Sequence, residues 1–407
     1  MLRTASRTAK LAAAIAAVLA SLALAGPAFA TPASGSGHHQ AGHPSPFRAR
    51  VVINGAKLSH PYVTQGERKT EPLTSPDDMT VLGRHIFTAF QNGVGPQGQP
   101  SEDGNDDSTV VEFTPGGHVV HQWDLHGKCD GITADTQRGI LIATIDEDAN
   151  SSIYTIRPGA PKGAQLVHYH YNRNPLPHNG GTDAISIYHG LILVSASAPG
   201  TVAGSEPAPQ PTYPAVYELT FHPATRLAVV KPLFYDEAAA RVANAGKSEG
   251  TVVKLALTDP DSNEIVPASG PRFAGDFMLT SQGDKEQIFV LRKGRLGSHL
   301  AVLRLSQSVD DTAWARSSHG KLYVANTGGG TIDVVTGPFR PGTVLVAVTP
   351  CDADNAPATC PAKGFPPNYL GQLNPWTGHI KRVPVRGPAF GPQGMVFIAP
   401  HWNVTPG

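Results

Sequence analysis

Asp183-Ala-Ile-Ser-Ile-Tyr-His-Gly-Leu-Ile-Leu-Val-Ser195 decides the fold. An Asp opens a short apolar run, His189-Gly190 turns the chain, and a second apolar run leaves the turn. Short β-branched and aromatic runs broken by Gly are the sequence signal of strands. The unit returns as Asp78-Met-Thr-Val-Leu-Gly-Arg-His-Ile-Phe-Thr-Ala-Phe-Gln-Asn92, and as Asp130-Gly-Ile-Thr-Ala134 followed by Gly139-Ile-Leu-Ile-Ala-Thr144. A further copy is Asp311-Thr-Ala-Trp-Ala315 followed by Gly320-Lys-Leu-Tyr-Val-Ala-Asn326. It alternates with a hairpin unit seen at Val110 to Val120, Val216 to Val230 and Leu370 to Val383. Four strands in roughly fifty residues make one β-propeller blade. No blade covers both its own faces, so stability requires a closed ring.

Blade starts fall near Asp78, Asp130, Asp183, Thr251, Asp311 and Gly391, which predicts an all-β, single-domain propeller with six blades. The start at Gly391 leaves too little chain for a full blade. Strands at Arg50 to Ile53 and Tyr62 to Thr64 complete it, so N- and C-terminal strands share one blade. Seven blades follow instead if Thr331 to Val335 and Thr343 to Thr349 form a hairpin and Leu370 to Val383 belongs elsewhere. Asp236 to Ala245, with its Ala run, is the one short helix expected.

The opening Asp130-Gly-Ile-Thr-Ala-Asp135 and the strand pair Leu322-Tyr-Val-Ala-Asn-Thr-Gly-Gly-Gly-Thr-Ile332 resemble NHL/YVTN-type propeller repeats. Nearly the whole mature chain resembles uncharacterised secreted bacterial propeller proteins with such repeats. These motifs encode turns and packing, so the resemblance implies a fold and no activity.

Residues 1–30 read as a signal peptide: Arg3, Arg7 and Lys10, an apolar run from Leu11 to Ala25, then Pro27-Ala-Phe-Ala30 as a cleavage site. Cleavage leaves 29 basic against 32 acidic residues, and the product is expected to be secreted, extracellular or periplasmic. Residues 31–47, rich in Gly, Ser, Pro and His, read as a disordered linker, and the propeller domain occupies 48–407. Lys and Arg (32) balance Asp and Glu (32), which excludes a general electrostatic grip on nucleic acid. No later segment is long enough for a membrane-spanning helix. Of the three cysteines, Cys351 and Cys360 are spaced to close a small disulfide, and Cys129 is left as a buried thiol.

No nucleophile elbow, zinc-protease motif or phosphate loop is present. Three loops carry alternating oxygen donors, Asp103/Asn105/Asp107, Asp146/Asp148/Asn150 and Asp259/Asp261/Asn263, but each lacks the Glu that completes a calcium loop. His168 and His170 share a strand face, with His178 following. Repetition points elsewhere. In a propeller the start of each innermost strand and the end of the second strand meet on one rim of the central channel. That places Asp78, Asp130, Asp183 and Asp311, with Glu147, Asn150 and Asn326, at one mouth as candidate metal ligands. Their hard oxygens suit Ca²⁺ or another divalent cation. Alternatively, a strand-initial Asp accepts backbone N–H groups across blade junctions. Gluconolactonase-type propellers are similar in holding a catalytic metal on the axis with Glu, Asn and Asp, but no motif here matches theirs residue by residue.

Two functions are therefore expected to compete. One is a binding or interaction platform for an extracellular protein, a glycan or a small molecule, working as a monomer. The other is a metal-dependent hydrolase of lactone or ester type.

Overall fold

The computed structural model describes residues 45–148, 150–173, 176–177, 180–199, 212–351 and 368–400. The expected signal peptide, most of the linker, His178 and Cys360 lie outside these residues. Among the described residues no helix is long and apolar enough to cross a membrane.

The protein is all-β. Strand β1 (Phe47–Asn54) precedes a separate hairpin of β2 (Ser59–Thr64) and β3 (Glu67–Pro72). The next sheet is β4 (Pro76–Leu82), β5 (His85–Phe90), β6 (Asp107–Phe113) and β7 (Val119–His126), in that order. Another runs β8 (Cys129–Asp135), β9 (Ile140–Ile145), β10 (Ser152–Ile156) and β11 (Leu166–Tyr171). It is followed by β12 (Thr182–Tyr188), β13 (Leu191–Ala196), β14 (Pro214–His222) and β15 (Leu227–Tyr235). Then β16 (Ala239–Val242) and β17 (Val252–Lys254) extend the outer edge of the sheet β18 (Pro260–Ile265), β19 (Phe277–Ser281), β20 (Glu286–Val290) and β21 (Leu300–Arg304). The remaining strands are β22 (Val309–Trp314), β23 (Lys321–Asn326), β24 (Thr331–Thr336), β25 (Val344–Val348), β26 (Tyr369–Leu373), β27 (Ile380–Arg382), β28 (Val385–Arg386) and β29 (Pro392–Ile398).

These last strands interleave. β22 pairs with β25, giving the sheet β22-β25-β26-β27, while β29 pairs with β23, giving β29-β23-β24-β1-β28. The expected unit of Asp311 to Ala315 with Gly320 to Asn326 is thus split between two sheets. Two residues, His189 and Gly190, join β12 to β13, whereas six, from 315 to 320, follow β22 and reach the neighbouring sheet. Ala315 instead donates its N–H to Thr343 at 2.9 Å, starting the pairing with β25. The hairpin of Thr331 to Val335 with Thr343 to Thr349 does not form, because β24 and β25 belong to different sheets.

Both chain ends contribute to one sheet, through β1 and β29. Tyr62 to Thr64 are not part of it; they pair within the β2–β3 hairpin. The expected helix at Asp236 to Ala245 is absent. Its Ala240 and Val242 are buried and the residues between exposed, a period of two, and β16 lies parallel to β21. The fourth inner strand is β18, not a strand at Thr251. Its polar sequence, Pro-Asp-Ser-Asn-Glu-Ile, concealed it.

Side chains from adjacent sheets interlock. Val110, Trp123 and Leu125 pack on Leu141, Ile145 and Tyr154, and Leu193 and Val216 pack on Phe277, Leu279 and Val302. Each such buried aliphatic contributes about 1.5–3 kcal/mol. The innermost strands lie against one another in the order β4, β8, β12, β18, β22, β29, and β29 lies against β4.

Candidate functional site: an axial acidic pocket

Among the described residues, the six strands β4, β8, β12, β18, β22 and β29 carry a bulge at the same place. Asp77-Asp78 face Ala89 alone, Asp130-Gly131 face Thr144, and Asp183-Ala184 face Ser195. Asp261-Ser262, Asp310-Asp311 and Gln393-Gly394 do the same against Thr280, Ala347 and Ala325. A bulge sets two residues against one and re-aims their side chains. The second residue of each inner strand is then Asp77, Asp130, Asp183, Asp261, Asp310 or Gln393, and all six line one pocket of about 190 Å³.

The third residue does another job. Oδ2 of Asp78 accepts the Ile132 N–H at 2.8 Å, and Oδ2 of Asp311 accepts the Met395 N–H, each bond crossing to the next inner strand. Gly131 and Gly394 are required by proximity: a Cβ would stand 2.5 Å from the Asp183 carbonyl oxygen and 2.4 Å from that of Asp77. Ser262 Oγ donates to the Asp310 carbonyl, and Asn263 Nδ2 to that of Ala184 at 2.7 Å. Position two brings a carboxyl group to the axis in five of the six strands, and position three, where it is Asp78, Ser262 or Asp311, fastens neighbouring strands together.

One ammonium enters this ring. Lys128 Nζ is 2.9 Å from Asp130 Oδ1 and also pairs with Glu147 Oε1. Gln91 Nε2 donates to Asp77 Oδ2 at 2.7 Å and to Asp130 Oδ1 at 2.8 Å. The other oxygens of two ring members, Asp130 Oδ2 and Asp261 Oδ2, are buried with no hydrogen-bond partner.

Burial first, and the crowding of negative charge second, raise the carboxyl groups of the ring. Burial, then the Asp310 charge, holds Asp77 and Asp261 well above the usual carboxylate range. Burial followed by Asp130 does the same to Asp183. Asp130 is pushed to about 7 by burial against the pull of Lys128, and Glu147 to about 7 by burial and the Asp130 charge. Burial also brings Asp78 to about 8. Burial alone would lower Lys128, but Asp130, Glu147 and Asp77 hold its ammonium well above its ordinary value.

Of the seven residues singled out in the sequence, Asp78, Asp130, Glu147, Asp183 and Asp311 line the pocket. Asn150 does not; it is exposed, at φ 56°. Asn326 is buried elsewhere, donating to Asp333 Oδ2 at 3.1 Å and the Ala389 carbonyl at 2.8 Å. Asp77, Asp310, Gln393, Lys128 and Gln91 are not singled out in the sequence, and Asp261 is named there only as a donor of an oxygen-rich loop. The available signal was the strand-opening Pro of Pro76-Asp77, Pro260-Asp261 and Pro392-Gln393, together with the Asp-Asp pairs at 77–78 and 310–311.

Two of the three oxygen-rich loops have local roles, while the third brings Asp261 to the axial pocket. Asn105 Oδ1 accepts the Asp107 N–H at 2.9 Å, an Asx turn, and Asp146 Oδ1 accepts the Lys128 N–H at 2.9 Å. Away from the axis, single ligand atoms of Asp106, Asp107 and His126 lie within 4.8 Å of one another. His168 stacks on Tyr154 at 4.2 Å, with the His170 ring 4.5 Å from it. Cys129 is free and buried. Cys351 is buried, and its expected partner Cys360 is outside the described residues.

No protein-family model and no curated protein matches the chain. Solved structures to which it is similar include the periplasmic gluconolactonase of Pseudomonas aeruginosa, at 13% identity and a TM-score of 0.44, covering 87% of this chain and 99% of that one. A protein of unknown function from Bacteroides caccae is 11% identical with a TM-score of 0.43, covering 87% and 99%. A catalytically inactive virginiamycin B lyase from Staphylococcus aureus is 8% identical with a TM-score of 0.39, covering 86% and 92%.

Proposed function

We propose that the chain is a secreted six-bladed β-propeller that works as a binding module and takes a hard divalent cation, Ca²⁺ foremost, into its axial acidic pocket. Residues 1–30 serve as the export signal and 31–44 as a linker, shorter than 31–47 because Phe47 already opens β1, and the ring closes through the sheet that β1 and β29 share. The observation that carries the reading is the ring of five inner-strand aspartates around one ammonium, with Asp130 Oδ2 and Asp261 Oδ2 buried and unpartnered. Carboxylates crowded in this way either hold protons or gather a cation. At ~30 Å³ per water, the pocket has room for an ion with several of its waters. The donors available for it are all oxygen, the class that Ca²⁺ prefers. Asp183, Asp261 and Asp310, opposite the Lys128 pairings, are the proposed ligands. A bound ion would then present open positions at the channel mouth to a ligand rich in hydroxyl or carboxylate groups.

The hydrolase reading keeps one specific support. Asp130 and Glu147 titrate near 7 on either side of Lys128 Nζ, the range in which a carboxyl group can donate and accept a proton.

Metal analysis of the purified protein before and after chelation tests the main reading, alongside the Asp261→Asn variant. Near-stoichiometric calcium that chelation removes and the variant lacks supports it. Absence of any divalent ion after equilibration with millimolar calcium overturns it. A calcium-dependent turnover of lactone or ester probes, abolished by Glu147→Gln, would select the hydrolase.

A further inference from the structure

A second cavity, of about 530 Å³, opens between the β8–β11 and β12–β15 sheets. It sits at the ends of these strands remote from Asp130 and Asp183, so it is separate from the axial pocket. Its origin is an edge pairing. β11 and β15, the outer strands of their sheets, run parallel and pair through His170 with Leu227 and Tyr171 with Ala228. The His170 N–H also donates to the Arg226 carbonyl at 3.0 Å. Pairing stops there, and toward Leu166 a cleft remains between the sheets. Ile140, Tyr169, Ile192 and Leu219 form its buried apolar wall, and Phe221 closes one side with its ring 4.6 Å from Tyr169.

The mouth is cationic. Arg138, Arg157 and Arg226 are exposed around it, against a single acid, Glu218. Arg138 is held by Asp135. Arg157 donates to the Arg138 carbonyl at 2.9 Å, and neither it nor Arg226 pairs with a carboxylate among the described residues.

We propose that this cleft binds a small organic anion, with an apolar ring or chain between the sheets and a carboxylate or sulfonate head on Arg157 and Arg226. The volume falls in the ~300–1,000 Å³ range of small-molecule sites. A guanidinium presents paired N–H donors that match a planar or tetrahedral oxyanion. Arg157 and Arg226, which have no carboxylate partner among the described residues, leave the mouth with positive charge for an anion to neutralise. A neutral molecule would gain only the apolar wall, and a cation would meet the arginines. This site is independent of the axial reading.

Anilinonaphthalene sulfonate, an aromatic ring system with one anionic head, is a suitable probe; phenylnaphthylamine, which lacks the sulfonate, is its neutral counterpart. Fluorescence titration of the native protein should show one saturable sulfonate site, about tenfold or more tighter than the neutral probe, a difference of about 1.4 kcal/mol. The double variant Arg157→Ala/Arg226→Ala, at exposed positions that leave thermal unfolding unchanged, should weaken the sulfonate by about tenfold and the neutral probe little. Asp261→Asn should leave both titrations as they were. Absence of saturable binding, equal affinity for the two probes, or undiminished sulfonate binding in the double variant would overturn the proposal.

Discussion

The Asp78 carboxylate accepts the Ile132 backbone N–H at 2.8 Å, joining β4 to β8 across 54 residues of chain. Its neighbour Asp77 turns to the axis and accepts from Gln91. Two adjacent aspartates thus divide strand fastening from pocket charge. Asp78→Ala strands a buried N–H and should cost about 1–3 kcal/mol in urea unfolding, as should Asp311→Ala. Asp261→Asn, which removes a crowded charge, should leave stability at pH 8 equal or higher. An Asp78→Ala protein as stable as the wild type would remove the fastening role.

Gly131 and Gly394 admit the neighbouring inner strand where a methyl group would meet backbone oxygen. Gly131→Ala and Gly394→Ala should each lower stability by about 1–3 kcal/mol through overpacking. Gly139→Ala, at a turn where a Cβ meets nothing within 4 Å, controls for composition, though its φ of +63° carries a smaller strain of its own.

Stability should fall as pH rises from about 4 to about 8. Asp130 and Glu147, raised to about 7, and Asp78, raised to about 8, bind more protons in the folded than in the unfolded chain. Their contribution is fully present below the unfolded carboxylate values near 4 and is lost as pH passes their folded values. Calcium should flatten this slope by replacing the protons. Thermal unfolding across that range, with and without calcium, provides the check; a slope that rises with pH would contradict it.

Lys128→Met removes the one ammonium from the ring and leaves Asp130 and Glu147 facing each other. At pH 8 the loss should approach about 3 kcal/mol, shrinking toward pH 5 as those groups take up protons instead. A loss independent of pH would mean that Lys128 acts through packing alone.

Repetition made the inner strands readable wherever an Asp was followed by an apolar run, as at Asp130 and Asp183. It failed at β18, where Pro260-Asp-Ser-Asn-Glu264 is polar because bulge and junction positions outnumber core positions. The repeat pattern also sets Asp78 and Asp311 beside Asp130 and Asp183, although Asp77 and Asp310 are the true equivalents. A one-residue offset at a bulge exchanges an axial side chain for a junction side chain, and composition does not register it. Lys128 was invisible for another reason: its partner Glu147 is 19 residues away, across a hairpin.

The proposed Cys351–Cys360 disulfide closes a short loop and should contribute about 2–3 kcal/mol at most. Thiol counting in the unfolded, non-reduced protein should find one reactive group, Cys129. Three would exclude the pairing.

Calcium titration by calorimetry at pH 7, in two buffers of different ionisation enthalpy, tests the axial ring most directly. One ion should bind per chain with net release of protons from the ring carboxylates, and Asp261→Asn should lose both the binding and the proton release. Binding without proton release, or binding that Asp261→Asn leaves intact, would contradict the account.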